Sequence, residues 1–277
     1  MNARILTMDA IAAYAQFLQE EERAPATIEK YVRDISWFSA WLGSKEVSKE
    51  LAAAWKAELL AQGLNPATVN AKISALNGLF KFLGWDDCRV KFLKLQRRAF
   101  RDASRDLTKS EYVKLLSAAV GWLALLLETI CATGIRVSEV KYITVEAVQA
   151  GRADISLKGK IRTILLPGKL RRKLLQYAKQ QKIVSGEIFL AEDGKSISRY
   201  RIWREMKRLC KKAGVEESKV FPHNLRHLFA TTFYRVTRDI VKLADTLGHS
   251  SINTTRIYLI STGQEHVRQL ERLGLVS

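Results

Sequence analysis

Late in the chain, two short motifs carry side chains suited to chemistry on a phosphodiester. The stretch H-N-L-R-H at 223 to 227 puts His223 and Arg226 three residues apart, on one face of a helix. In L-G-H-S-S-I-N-T-T-R-I-Y at 247 to 258, nine residues take the chain from His249 to Tyr258, and 23 take it from Arg226 to His249. A phosphodiester undergoing transfer builds negative charge on its non-bridging oxygens. Planar guanidiniums neutralise that charge with paired hydrogen bonds that a lysine cannot reproduce. Arg226 is one candidate, and Arg136, in A-T-G-I-R-V-S-E at 132 to 139, is the other. A histidine can move a proton near neutral pH or donate to the phosphate, which gives His223 and His249 their candidate roles. The Tyr258 phenol is then the candidate nucleophile. Its attack on phosphorus leaves a covalent phosphotyrosine that conserves bond energy, so the chemistry calls for no cofactor and no metal. His223 and His227, at i and i+4, could instead ligate zinc, but Asn224 stands where a zinc protease carries glutamate, and no third ligand is evident.

These groups need elements to hold them. Apolar residues recur at helical spacing over 9 to 20, over 25 to 42 between Pro25 and Gly43, over 48 to 61, and from Pro66 to Gly84 behind an Asn65 cap. P-A-T-I at 25 and P-A-T-V at 66 are two helix starts and not a repeat, because their flanks do not match. Residues 1 to 95 thus form a bundle of four or five helices, with Trp37, Trp41 and Trp55 expected in its core. Residues 96 to 106, Q-R-R-A-F-R-D-A-S-R-D, read as a basic linker that is either solvated or laid along phosphates. A second domain, 107 to 277, opens on the capping box of Thr108 and Glu111 and continues through an apolar helix from Trp122 to Thr133, ended by Gly134. A helix starting near Ser138 would leave Arg136 at the corner. Alternating residues at 153 to 157 and 161 to 166 make an antiparallel hairpin whose K-G-K turn puts Lys158 at the tip. Helices over 169 to 181 and 198 to 213 follow, the second lined with arginine and lysine. Pro222 opens the helix of His223 and Arg226. Ile240 to Leu247 is another helix, ended by Gly248, and Ser251 caps a last one with Tyr258 about two turns along. The tail from Gln264, with Val267, Leu270 and Leu273 on one side, is too short to be stable alone and must dock. The fold class is therefore mainly α, with one small β-sheet, in two domains.

The 277 residues carry a net charge of +18 with a pI near 9.9, an excess that points to a polyanionic partner, nucleic acid ahead of an anionic membrane. Residues 1 to 95 contribute +1, residues 96 to 105 +3 and residues 106 to 277 +14, so the excess belongs to the linker and the second domain. Three scattered cysteines, Cys88, Cys131 and Cys210, support neither a disulfide framework nor a zinc ribbon. No apolar run is long enough to span a bilayer, and the start of the chain lacks a signal-peptide pattern, so a cytoplasmic location is expected.

Taken together and in order, these motifs resemble the tyrosine recombinase (phage integrase) family, with spacings similar to its Xer-type members. The resemblance implies a helical core-binding domain at 1 to 95 and a catalytic domain that cuts and rejoins double-stranded DNA at a specific site. It also implies that Arg136 and Arg226 clamp the scissile phosphate and that Tyr258 forms a 3′-phosphotyrosine while a 5′-hydroxyl leaves. Lys158 would protonate that oxygen, His223 and His249 would assist, and Glu139 would buttress the site. Here the turn reads K-G-K-I-R in place of the longer family form, so Lys160 competes with Lys158, which keeps the better spacing from Arg136. The family works as a homo-tetramer on DNA, associated with the nucleoid. The tail would dock on a neighbouring protomer or in cis. A type IB topoisomerase shares the chemistry, and a DNA-binding protein of the same fold without catalysis is the alternative outside it.

Overall fold

Helix starts in the N-terminal part follow from side chains that take up the first backbone N–H groups. Thr7, Ser48 and Asn65 do so for α1 (Met8–Glu20), α3 (Lys49–Ala61) and α4 (Pro66–Phe82), while α2 (Pro25–Leu42) begins on its proline alone. The structure is a computed structural model describing residues 4–95, 103–157, 160–258, 267–268 and 270–274. It separates into two compact units, Met1–Arg97 and Arg98–Ser277.

In the first unit α2 and α4 bury Ile35, Phe38, Ile73, Leu76, Leu79 and Phe80 completely. A buried ion pair crosses between them: Lys72 donates to Asp34 at 3.0 Å, and Lys30 donates to the same carboxylate at 2.5 Å. The expectation for the tryptophans needs correction. Trp55 is in the core, but Trp37 and Trp41 are exposed. Trp37 lies off the apolar face of α2 because it roofs the buried ammonium of Lys72, 3.7 Å from its ring centre.

The second unit runs α5 (Lys109–Ala118), α6 (Gly121–Thr133), a 3-10 turn at Val137–Tyr142, α7 (Val145–Ala150), β1 (Arg152–Leu157), β2 (Lys160–Leu165), α8 (Gly168–Gln180), α9 (Arg199–Ala213), α10 (Pro222–Thr237), α11 (Ile240–Leu247) and α12 (Ile252–Arg256). The capping box of Thr108 and Glu111 is formed. Leu126, Leu127 and Ile130 on α6 are fully buried at the centre of a core that also takes in Ile155 and Ile164 of the hairpin. The antiparallel register pairs Leu157 with Lys160, and the two turn residues between them, Lys158 among them, lie outside the described residues.

One expectation is altered. The helix anticipated near Ser138 is a 3-10 turn, because Thr144 caps α7 only a few residues later and leaves no room for a longer one. Of the linker, 96–102 lie outside the described residues, and Ala103–Arg105 is a 3-10 turn. In the tail, Val267, Leu270 and Leu273 are exposed. No helix among the described residues is long and apolar enough to cross a membrane.

Candidate active site

The site is assembled at helix ends. Helix α6 stops at Gly134, whose left-handed φ of 65° is one that glycine adopts without strain, and any Cβ there would overlap the ring of Phe229 on α10. The turn buries Ile135 and brings out Arg136. From α10, Arg226 reaches back to this turn, its side chain only 3% exposed. One of its terminal nitrogens, Nη1, donates to the Gly134 carbonyl; the other, Nη2, donates to the Leu247 carbonyl at 2.7 Å and to His249 Nε2 at 3.0 Å. Gly134 and Leu247 end α6 and α11, so the negative ends of two helices share the burial of this charge. Burial, and then repulsion from Arg136, pulls the Arg226 guanidinium down to about 10, which leaves it charged at neutral pH.

Glu139 organises the other arginine. Its carboxylate, 2% exposed, accepts from the Arg136 side chain at 2.8 Å, from the Arg136 backbone N–H at 2.9 Å, and from Arg162 on β2. Burial alone would raise this acid, but the hydrogen bonds from Arg136 and the charge of Arg162 outweigh it and hold Glu139 below the ordinary carboxylate value. The rest of the Arg136 guanidinium faces outward, 38% exposed, with one long contact of 3.4 Å to the Gly248 carbonyl.

Gly248 ends α11 with φ 63° and turns the chain into His249. Arginine can only donate, so Nε2 of His249 must be the bare nitrogen, and Nδ1 carries the proton that it donates to Thr255 Oγ1 at 2.8 Å. Burial and then the neighbouring Arg226 push His249 down to about 4; the same two causes lower His223, at the rim. Both rings are neutral at pH 7. Tyr258 is 4% exposed, and its phenol lies close enough to the Arg226 guanidinium to favour that group's charge. Three imidazoles surround its ring, with centroids at 5.2 Å for His227, 5.9 Å for His249 and 6.0 Å for His223; the His249 ring lies parallel to it.

With this geometry in view, two family models match the chain, the phage integrase family over 105–265 and the phage integrase N-terminal SAM-like domain over 11–87. The chain belongs to the phage integrase family. It is an Xer-like tyrosine recombinase, a site-specific enzyme acting on DNA. The recombinase is 30% identical to tyrosine recombinase XerA of Thermococcus kodakarensis over 95% of this chain and 94% of that protein. Against XerA of Pyrococcus furiosus it is 28% identical over 100% of this chain and 98% of the relative. Its fold resembles that of a lambda integrase dimer bound to a COC′ core site, with a TM-score of 0.73 at 19% identity over 91% of this chain and 94% of that one.

The recombinase brings together Arg136, Glu139, His223, Arg226, His249 and Tyr258, as their spacings anticipated. Lys158 lies outside the described residues, and Lys160 enters only as the strand residue opposite Leu157. One placement differs: α12 ends at Arg256, so Tyr258 stands in the turn after the helix, its N–H donating to the Thr255 carbonyl at 3.0 Å. Three neighbours had no assigned part in this chemistry. His227 had been weighed only as a metal ligand, and Thr255 gives no signal beyond its position. Arg162 did offer one, being a charge at an inward position of β2, in phase with the buried Ile164 and Leu166.

Proposed function

We propose that Tyr258 is the nucleophile of strand cleavage, with Arg136 and Arg226 as the clamp on the scissile phosphate. One observation carries the reading: the buried Tyr258 ring lies within a ring of three imidazoles, beside the buried Arg226 guanidinium that His249 also contacts. In the reaction the phenolic oxygen forms a bond to phosphorus and the bond to the 5′ oxygen breaks, leaving a 3′-phosphotyrosine and a 5′-hydroxyl. The outward face of Arg136 is available to a non-bridging oxygen, and Arg226 is prepositioned beside it, so little reorganisation is needed as charge develops. His223 lies at the rim and can take the phenolic proton, while the Nε2 lone pair of His249, held by Arg226 in the free protein, becomes an acceptor only once an incoming phosphate draws Arg226 towards itself and offsets the surrounding positive charge. Lys158 on the hairpin would protonate the leaving oxygen, and Glu139 holds Arg136.

On this reading residues 107 to 277 carry catalysis, residues 1 to 95 also bind the duplex, and the basic stretch 96 to 106 joins them. The assembly is a homo-tetramer on its recombination site in the cytoplasm, associated with the nucleoid, with the tail from Gln264 docking on a neighbouring protomer or in cis.

The test is covalent trapping. A binding site is first selected from a random duplex library, then supplied as a suicide substrate nicked next to the exchange point. Wild type is expected to form an adduct that survives denaturant. Tyr258→Phe is expected to bind this DNA within about threefold of wild type and to form no adduct, because the phenol is a small part of an affinity dominated by phosphate contacts. An adduct that persists in Tyr258→Phe would assign the nucleophile elsewhere.

A further inference from the structure

Arg162 sits where a strand arginine has no reason of its own to be. It faces inward on β2, opposite the buried Ile155 and beside Ile164, with a side chain only 13% exposed. Taking a guanidinium out of water is unfavourable unless its donors are all met. Here they are not, since Nε is buried without a partner among the described residues. Buried polar groups left unsatisfied in a folded protein call for an explanation in function.

The partners it does have supply one. Nη2 donates to Glu139, on the same oxygen, Oε2, that accepts the Arg136 backbone N–H. Nη1 donates to the Thr246 carbonyl in the last turn of α11 at 3.1 Å. The side chain also lies flat on Gly248, where any Cβ would overlap it, and the next residue is His249. A single guanidinium therefore touches the carboxylate that orients Arg136 and the turn that presents His249, and it is rooted in strand β2. Nothing in these contacts reaches the space a phosphate would occupy; Arg162 can act only through its neighbours.

We propose that Arg162 is a positioning residue for strand cleavage, which sets Arg136 through Glu139 and His249 through the Thr246–Gly248 turn, and keeps the β1–β2 hairpin in register with both. This rests on the assignment of Arg136 and Tyr258 made above. Its charge also fits the purpose: one carboxylate shared by two arginines leaves the site net positive for its anionic substrate.

The test uses the full chain and the nicked suicide substrate, and measures the single-turnover cleavage rate and the DNA affinity separately. Arg162→Lys keeps the charge and the stem but loses the planar fork that spans Glu139 and Thr246. Cleavage is expected to slow by about a hundredfold, the scale of a small misplacement of reacting groups, with affinity and melting temperature near those of wild type. Arg162→Met removes the charge and is expected to be at least as slow. If the Met variant does not fold, the Lys variant still decides.

Two readouts separate positioning from a merely structural role. In Glu139→Gln the Arg162→Lys change is expected to add little further slowing, because both act on the placement of Arg136. A methylphosphonate at the scissile position, which lacks one charged oxygen, needs less of Arg136, so the Arg162→Lys defect is expected to shrink along with that of Arg136→Ala. Wild-type cleavage rates in both Arg162 variants, or losses of rate, affinity and melting temperature in proportion, would overturn the proposal. Failure of wild type itself to form an adduct would instead sink the assignment of Tyr258, and this inference with it.

Discussion

His249 is pushed down first by its burial and then by the three arginines and second imidazole around it, all of which make its protonation unfavourable. With a folded-state value of about 4 against an ordinary 6.5, the unfolded chain takes up a proton in that window that the folded chain refuses. Stability is therefore full above about pH 6.5 and falls as the pH drops towards 4. His223 adds in the same direction, and Glu139, held below its ordinary value, extends the loss to lower pH. Since His249 keeps some solvent contact, its share is on the order of 1 to 2 kcal/mol after allowing for screening. Melting curves between pH 7 and 4 are expected to shift downward by several degrees, and His249→Gln to flatten that dependence. An unchanged slope in the variant would place the acid sensitivity in other groups. At this scale the residues that could be read from the chain were those whose chemistry is explicit in type and spacing: Arg136, His223, Arg226, His249 and Tyr258. Arg162 and Thr255 were not, because what they touch is brought to them from distant parts of the sequence.

Among the elements, those with chemically marked ends were legible. Thr108 with Glu111, Asn65 with Pro66, and Gly134 and Gly248 each mark a boundary that the structure keeps within a residue or two. The short pieces were not: α7 and the 3-10 turn at Val137–Tyr142 are too brief to show a period and are held by the β1–β2 layer and α8 around them. Trp37 was misplaced for a related cause, since the cation beneath it comes from another helix. That cation bears on how α2 and α4 are joined. Asp34→Ala strands the ammonium of Lys72 in the interior and is expected to cost roughly 3 to 5 kcal/mol in urea unfolding, while adding Lys72→Met is expected to recover most of it. A single variant within about 0.5 kcal/mol of wild type would show that water or Lys30 takes over the compensation.

For the whole molecule, the distribution of charge matters more than its sum. Residues 96 to 277 carry nearly all of the net +18, so on the proposed reading the field that draws in DNA centres on the part assigned the chemistry. If six to ten phosphates are contacted, the logarithm of the affinity for the recombination site should fall against that of salt with a slope of roughly −5 to −9. Titrations between 50 and 300 mM salt measure this directly, and a slope shallower than about −3 would mean that most of these cations never meet the backbone.

The five-residue helix α12 is the shortest α-helix among the described residues, far below the length that holds itself together in water. The hydrogen bond from His249 to Thr255 and the packing of Tyr258 against α10 and α11 keep it in place. In the covalent state proposed for Tyr258, any pull from the DNA would be borne first by this segment. Torque in the exchanging strands would be taken up by a tether that can shift while the arginines, braced on helix ends, stay where they are.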